Sequence, residues 1–549
     1  MIPRTVETIG SGSAARAEVA IVGAGPVGMT LANLLGVYGV RTVLLERNAT
    51  TVAEPRAVAI DAESLRTMQA AGLYEEVAAD TLLGFHVDYV NGRGRTLLSI
   101  DLGPTPYGHA QQNSFDQPIF ERALRLGLER FPHVDVRFGH AVEGFSQDAS
   151  GVSVRGTSSD GRPFSIEAEY LIACDGGRSA MRQQLGIGMS GATAPEKWLV
   201  IDTIDAHLAG AFDCRFFCDP RRPAMSIRKR GTKRRWEWML MPGESEEDLL
   251  DDGMIARLLA PHTRPEQVKL ERKCVYTFHS LVADRYREGR VLLAGDAAHM
   301  MPPFAGQGMN GGIRDARDLA WKLALVVVGA ADQALLDSYE VERRSHVKAA
   351  TALANRLGDL IQPTSRVRAA LRDAVFAVLG VVRGGQQVIE RSLMRSLRAP
   401  RMRRGVFVPS EGGRDEASRL AGQMIFQPQV RTSGGETVPL DDVLGPGFAV
   451  VGYDADPAKT LDVGTLAYWR GLGARLVHVL PRGAKATDGT IIDETGHLAE
   501  WFGKACSIVA VRPDRFCAAE LEPRAAVEAT AAFESLLRGV VTASARRAA

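Results

Sequence analysis

The chain has 549 residues, is 45% hydrophobic and 24% charged, and carries a formal net charge of +1. At roughly 100–200 residues per domain this length predicts about three domains, each able to bury a core. The near-neutral charge argues against a nucleic-acid partner or an electrostatically bound membrane. Six cysteines with no CxxC pair argue against a disulfide framework or a metal site.

The N-terminal MIPRTVETIGSGSAARAE lacks an apolar signal core. A reducing cytoplasmic location is expected. EVAIV, from residue 18, reads as a strand, followed by GAGPVG with Gly23, Gly25 and Gly28 in GxGxxG spacing. MTLANLLGVYG has helical periodicity, and RTVLLE is a second strand ending at Glu46. The physics of this spacing is specific. Gly23 permits a tight turn, Gly25 lets backbone N–H groups approach a pyrophosphate, and Gly28 lets helix and strand pack closely. The helix N-terminus favours negative charge. Glu46 can accept hydrogen bonds from an adenosine ribose, with Arg47 beside it. The competing reading is a glycine-rich turn in an ordinary βαβ unit. Strand, turn, helix, strand and terminal acid in register favour a dinucleotide site, NAD or FAD.

YLIACDGGRSAMRQQLG, 170–186, is another strand ending in an acid and glycines: Asp175, Gly176 and Gly177, then Ser179 and Arg182. Alternating runs such as WEWMLMP and KCVYTFHSL predict a sheet within 187–288. The basic cluster RKRGTKRR at 228–235 reads as a solvated loop or as a partner for an anionic substrate. Next comes RVLLAGDAAHMMPPFAGQGMNGG, a strand running into Gly295 and Asp296, then Pro302, Pro303 and a glycine-rich turn. Ile313, Ala316, Leu319, Ala320, Leu323 and Ala324 follow as a helical stripe. Taken alone, this stretch reads as a Gly/Pro-rich surface loop before a core helix. The apolar runs at 323–331 and 374–382 are too short to span a bilayer and read as buried helices. From about 400 the composition changes. PRMRRGVFVPSEGG is linker-like, and GFAVVGYD, ARLVHVLP, GTIID and CSIVAVRPDRF read as strands between short helices.

A GxGxxG, a mid-chain Asp-Gly and a later Gly-Asp, in that order, resemble the group A flavoprotein monooxygenases, the single-component aromatic hydroxylases. PRAVAIDAESLRTMQAAGL (55–73), FDQPIFERAL (115–124), RRWEWMLMPGE (234–244) and residues 295–325 resemble the 3-(3-hydroxyphenyl)propionate hydroxylases. PPFAGQG is common across the wider group.

The resemblance implies an α/β and α+β protein: a Rossmann-like FAD-binding domain, an inserted β-sheet substrate domain and a C-terminal thioredoxin-like domain. The expected units are 17–186 with 289–398 for FAD, 187–288 with parts of 82–115 for substrate, and 405–549. The thioredoxin-like unit carries no redox motif, because Cys506 and Cys517 are isolated. A structural or dimer-stabilising role is expected for it, in a homodimer without stable membrane association.

The resemblance also assigns roles. Asp296 bonds a ribityl hydroxyl of FAD. Pro302 and Pro303 form a stiff wall beside the isoalloxazine, and the Pro303 carbonyl accepts from a substrate hydroxyl. Gly306, Gly308, Met309 and Asn310 bring backbone to the ring. Arg56 lies near the pyrophosphate and Gln117 near the ribityl chain. Asp175 and Gly176 serve FAD and pyridine nucleotide together, since no second GxGxxG is present. The implied chemistry is reduction of FAD by NADH or NADPH, reaction with O2 to a C4a-hydroperoxyflavin, and hydroxylation of a phenolic small molecule. The expected substrate is 3-(3-hydroxyphenyl)propionate or 3-hydroxycinnamate, taken to the catechol.

His299 is read as a packed histidine rather than a base, and His109 as a residue approaching the pocket. Arg215, Arg228, Arg234 and Arg235 are candidate partners for a substrate carboxylate. The alternatives are a hydroxylase of a larger aromatic or polyketide substrate, a halogenase (RWEWMLMP nearly matches WxWxIP, with Pro242 one residue late) and a non-catalytic FAD-bound sensor.

Overall fold

The computed structural model describes residues 16–51, 56–204, 212–381, 401–409, 420–503 and 506–539. Residues 1–15, the expected domain end at 398, linker residues 410–413 and residues 540–549 lie outside the described residues.

Strand Ala17–Val22 is buried throughout and lies inside an eight-stranded sheet. Thr42–Leu45 flanks it on one side and Pro163–Ala173 on the other, with Val291–Leu293 beyond, all parallel. Parallel strands covered on both faces are near-continuous apolar runs, as AEVAIV, TVLL and VLL are. Three strands therefore deliver Gly23, Asp175 and Asp296 to one sheet edge, where open α/β sheets form their ligand crevice. Helix Pro26–Val37 places Pro26 in its first turn, where a missing N–H costs nothing. It packs against helix Gly308–Val327. The approach is close: a Cβ on Gly312 would lie 2.4 Å from the Val27 side chain.

A second eight-stranded sheet faces that edge. Its spatial order is His299–Met300, Lys269–Ala283, Met189–Ile204, Lys233–Met239, Ala224–Arg228, Cys214–Cys218, His86–Asn91 and Thr96–Asp101. Along Lys233–Met239 the alternation is strict. Trp236 and Trp238 stack at 5.5 Å on the outer face, in an apolar cluster with Leu199, Ile201 and Ile255. Arg235, Glu237 and Met239 point the other way.

Two expectations are corrected here. The basic stretch 228–235 is a strand hairpin solvated at its tip, 230–232, while Lys229, Arg234 and Arg235 are at most 2% exposed. Lys229 and Arg235 each reach Asp202 at 2.9 Å, and that carboxylate offsets their burial. The run 374–382 lies on helix Arg366–Val381 as far as that helix extends, but the helix exposes Val367, Leu371, Val375 and Val378 instead of burying them.

The C-terminal sheet has seven strands. Ala449–Tyr453, Arg475–Leu480 and Thr490–Asp493 are parallel; Gln429–Thr432 and Ile508–Val511 flank them antiparallel, in a thioredoxin-like arrangement. Cys506 and Cys517 are free and buried. Burial pushes both thiols up, that of Cys506 to about 12, which makes them unreactive.

Helix Gly308–Val327 carries this domain. Its Trp321 and Leu325 pack with Phe448, Trp469 and Phe533. Beside that seam, Arg66 donates two hydrogen bonds to Asp441, at 2.8 and 2.7 Å. Arg512 donates two to Glu342, at 2.9 and 2.8 Å. No helix among the described residues is long and apolar enough to cross a membrane.

Candidate active site

Between the strand edge and the second sheet lies a cavity of about 1510 Å³. Gly23, Gly25, Glu46, Arg47, Arg56, Gln117, Asp175, Gly176, Asp296, Pro303, Gly306, Gly308 and Met309 all line it. It brings together residues nearly 300 positions apart in the chain.

The first turn is built as its glycines require. Gly23 has φ +104°, and a Cβ there would lie 2.4 Å from the Cys174 carbonyl oxygen. A Cβ on Gly28 would meet the Gly23 oxygen at 2.0 Å, so Gly28 works behind the cavity wall. At Gly25 a Cβ would meet nothing within 4 Å; its backbone faces the open space. Glu46 accepts from the Ala24 N–H and, through its other oxygen, from the Asn48 N–H, both at 2.9 Å. Gln117 holds the Arg56 and Ala57 N–H groups at 2.7 Å each and donates to Glu121.

Two acids await partners. Asp175 accepts from the Met181 N–H at 3.3 Å through one oxygen, while the other is buried with no hydrogen bond. Asp296 is exposed to the cavity, deep within the molecule. The surrounding protein pushes its carboxyl up, opposed by His299 and Arg56. An orphaned oxygen on Asp175, a cavity-facing Asp296 and side-chain-free backbone at one sheet edge fit a hydroxyl- and phosphate-bearing cofactor such as FAD.

The turn after Asp296 is anchored from beneath. Asp315 accepts from the Gly295 N–H at 3.0 Å, from His299 Nε2 at 2.6 Å and from Arg343 at 2.8 Å. His299 is thus a buried packing residue. Pro302 is buried and does not line the cavity; Pro303 is exposed to it. The Pro303 carbonyl, expected to face substrate, accepts the Gly306 N–H at 2.8 Å and closes a 3₁₀ turn. Asn310 is also behind the wall. Its side chain accepts from Asp61 N–H and Ser64 Oγ and donates to the Ala59 and Gly306 carbonyls, which satisfies all its capacity.

The sheet side of the cavity is apolar, with Phe85, Val87, Tyr89, Phe216, Ile227 and Phe278 among its lining. Arg215 pairs with Asp88, Arg228 with Asp213, and Arg234 lies on the outer face bonded to Phe212 and Ser226. Of the four candidate arginines only Arg235 lines the cavity, and Asp202 holds it through two hydrogen bonds. His109 does not line it; it contacts Gln69 and Gln427 at the C-terminal domain.

Sequence reasoning missed Asn48 and Arg178 on the strand side, and Glu237 and Tyr276 on the sheet side. For Glu237 a signal was present. An acid between two tryptophans of an alternating strand must face away from both. Burial pushes its carboxyl up to about 7, against the pull of Arg235.

A parallel sheet whose acid–glycine turns converge on a cavity roofed by an inserted sheet fits a flavin-binding enzyme, and its similarity to known proteins makes it an FAD-dependent aromatic monooxygenase. The chain belongs to the family described as FAD binding domain, whose model matches residues 16–354, and a model described as HcaD C-terminal domain matches 422–536. It is 40% identical over 532 residues to the 3-(3-hydroxy-phenyl)propionate/3-hydroxycinnamic acid hydroxylase 2 of Burkholderia vietnamiensis, covering 95% of this chain and 96% of that one. The corresponding hydroxylase of Mycobacterium sp. (strain KMS) is 41% identical over 531 residues, 95% and 91% of the two chains. The solved flavin-dependent monooxygenase PieE, in complex with FAD and substrate, shares the fold with TM-score 0.80 and 22% identity, covering 95% of this chain and 99% of its own.

Proposed function

We propose that this FAD-dependent enzyme hydroxylates 3-(3-hydroxyphenyl)propionate or 3-hydroxycinnamate to the catechol, with NADH or NADPH as reductant and O2 as oxidant. The observation that carries the reading is 40–41% identity along 95% of the chain to enzymes of that name. Bound FAD supplies hydride acceptance and O2 activation.

The chain's own residues supply the rest. Glu46 and Arg47 take the adenosine end, and the Gly23–Gly28 turn with Arg56 takes the pyrophosphate. Asp296 and Gln117 take the ribityl chain, and Asp175 with Gly176 serves both cofactor and coenzyme. Pro303, Gly306, Gly308 and Met309 bound the ring site, while Pro302 and Asn310 stiffen that wall from behind. Phe216, Ile227 and Phe278 exclude water from the substrate. The domain units, broken at 186, 289 and 405, and a cytoplasmic homodimer complete the proposal. Val367, Leu371, Val375 and Val378 are the exposed apolar stripe available to a second copy; light scattering at twice the monomer mass is the expected result.

The test is NADH and NADPH oxidation by the purified protein with and without 3-(3-hydroxyphenyl)propionate, with peroxide measured in parallel. Strong stimulation with little peroxide is expected. No stimulation by either coenzyme removes this substrate. One observation favours a second reading, a larger uncharged phenol: the cation lining the sheet side, Arg235, is already committed to Asp202. Stimulation by bulky phenols alone selects it. No stimulation by any phenol, with FAD bound, selects a sensor.

A further inference from the structure

Glu237 is a buried acid of the cavity that the roles above leave unused. It lies on strand Lys233–Met239, opposite Val200 and Met225 on the neighbouring strands. Its side chain is 7% exposed and lines the cavity. Other buried acids nearby have partners. Asp202 is held by Arg235 and Lys229, Asp315 by His299 and Arg343, and Glu121 by Gln117. Glu237 receives no hydrogen bond from the described residues; the nearby cation Arg235 acts on it only through its charge. Burial of a carboxyl without a donor is costly, and such groups in native proteins find one in protein, water or ligand.

The cavity therefore holds an acceptor with no donor from the described residues, open to a group that enters the cavity. The chemistry that suits it is a ligand hydroxyl. A ligand carboxylate offers no proton and would face like charge whenever Glu237 is ionised. The Pro303 carbonyl takes the Gly306 N–H with one of its two lone pairs, whereas the Glu237 carboxyl takes no hydrogen bond from the described residues. The surroundings of Glu237, Met225 and Phe216 along the strand order, would seat an aromatic ring beside it.

We propose that Glu237 receives the phenolic hydroxyl of the substrate, orients the ring by that hydrogen bond and takes the hydroxyl proton when oxygen is delivered to the ring. This rests on the hydroxylase reading. The balance is a proton transfer alone: the phenol O–H breaks, the Glu237 carboxyl O–H forms, and the electron pair stays on the phenolic oxygen, where it enriches the ring carbons ortho and para to it. Glu237 must be ionised to take that proton. Its carboxyl is held at about 7, so turnover rises as pH rises through that value.

The test compares wild type, Glu237→Gln and Glu237→Asp, each checked for FAD content. Ligand affinity is read from the flavin spectrum for 3-(3-hydroxyphenyl)propionate and for 3-phenylpropionate, which lacks the hydroxyl. Coupled turnover is followed from pH 5.5 to 8.5. In Glu237→Gln, kcat/KM is expected to fall roughly 10²-fold, its rise with pH to disappear, and the preference for the hydroxylated ligand to shrink. Glu237→Asp is expected to restore the pH dependence in part. A phenol-stimulated wild type whose Gln variant keeps its rate, pH profile and ligand preference overturns the role of Glu237 and leaves the hydroxylase reading standing. A wild type that no phenol stimulates overturns both. The wild-type pH profile alone decides the matter if the Gln variant fails to hold FAD: a flat profile with phenol refutes the proton transfer.

Discussion

Replacing Arg512 with methionine is the sharpest perturbation of the architecture. The guanidinium is wholly buried and donates to both oxygens of Glu342, to Asp514 at 2.9 Å and to Asp318 at 3.3 Å, with the ring of Trp321 4.9 Å away. Lys322 reaches Asp318 and Glu342 at 2.8 Å each. Three carboxylates thus face two cations. Burial raises the Asp318 carboxyl, while Arg512 and Lys322 hold Glu342 low despite its own burial. Methionine keeps much of the volume and removes one positive charge, so at least one acid is left buried and uncompensated. Breaking such a pair costs about 3–5 kcal/mol. Glu342 sits on helix Asp337–Ile361, Asp318 on helix Gly308–Val327, and Asp514 in the C-terminal domain, so the loss falls on their junction. Urea unfolding followed by far-UV circular dichroism and by flavin fluorescence measures it, and Glu342→Gln added to Arg512→Met is expected to recover part of the deficit. A loss below about 1 kcal/mol, or strictly additive effects in the double variant, refutes the charge argument.

Three further outcomes follow from other contacts. Gly23→Ala forces a Cβ to 2.4 Å from a backbone oxygen at φ +104°; the variant is expected to purify without FAD, as its absorbance at 450 nm would report. Asp296→Asn removes a carboxylate that faces the cavity; FAD affinity is expected to drop at least about tenfold through loss of a charge-assisted hydrogen bond, read by calorimetry, with the melting temperature of the apoprotein little changed. Asp441 is buried, which raises its carboxyl, but Arg515 and Arg66 outweigh this and hold it well below the usual range. A depressed folded value contributes stability above the unfolded carboxylate value of about 4 that is lost as pH falls through and below it; the melting temperature of wild type is expected to fall more steeply between pH 5 and 3 than that of Asp441→Asn.

The strand-edge half of the site was legible in sequence because its signals are local. Gly23, Asp175 and Asp296 each follow an apolar strand within a few residues, and the stereochemistry of a turn is written in the glycine that makes it. What was not legible depends on distant partners. Arg235 reads as solvated until Asp202, on an adjacent strand, is seen to hold it. Pro302 and Pro303 are chemically alike in sequence, yet the turn closed by Gly306 puts one in the wall and the other in the cavity. Val375 and Val378 share a periodicity with core positions, and only the neighbours of helix Arg366–Val381 decide that they stay outside. Glu237 lay between these cases: alternation gave its direction, but only the opposing strand edge shows that it faces a cavity.

Helix Gly308–Val327 has its first turn at the cavity and its far end among Phe448, Trp469 and Phe533. At 1.5 Å per residue those ends are roughly 30 Å apart. Such a helix has consequences for birth on the ribosome. Domains emerge and fold from the N-terminus, yet Trp321 lacks its Asp514 and Arg512 partners until the C-terminal domain has been made. The cavity end of the helix is held by residues no later than Arg343, so a nascent chain has a finished nucleotide edge while the far end of the same helix still awaits its C-terminal cover.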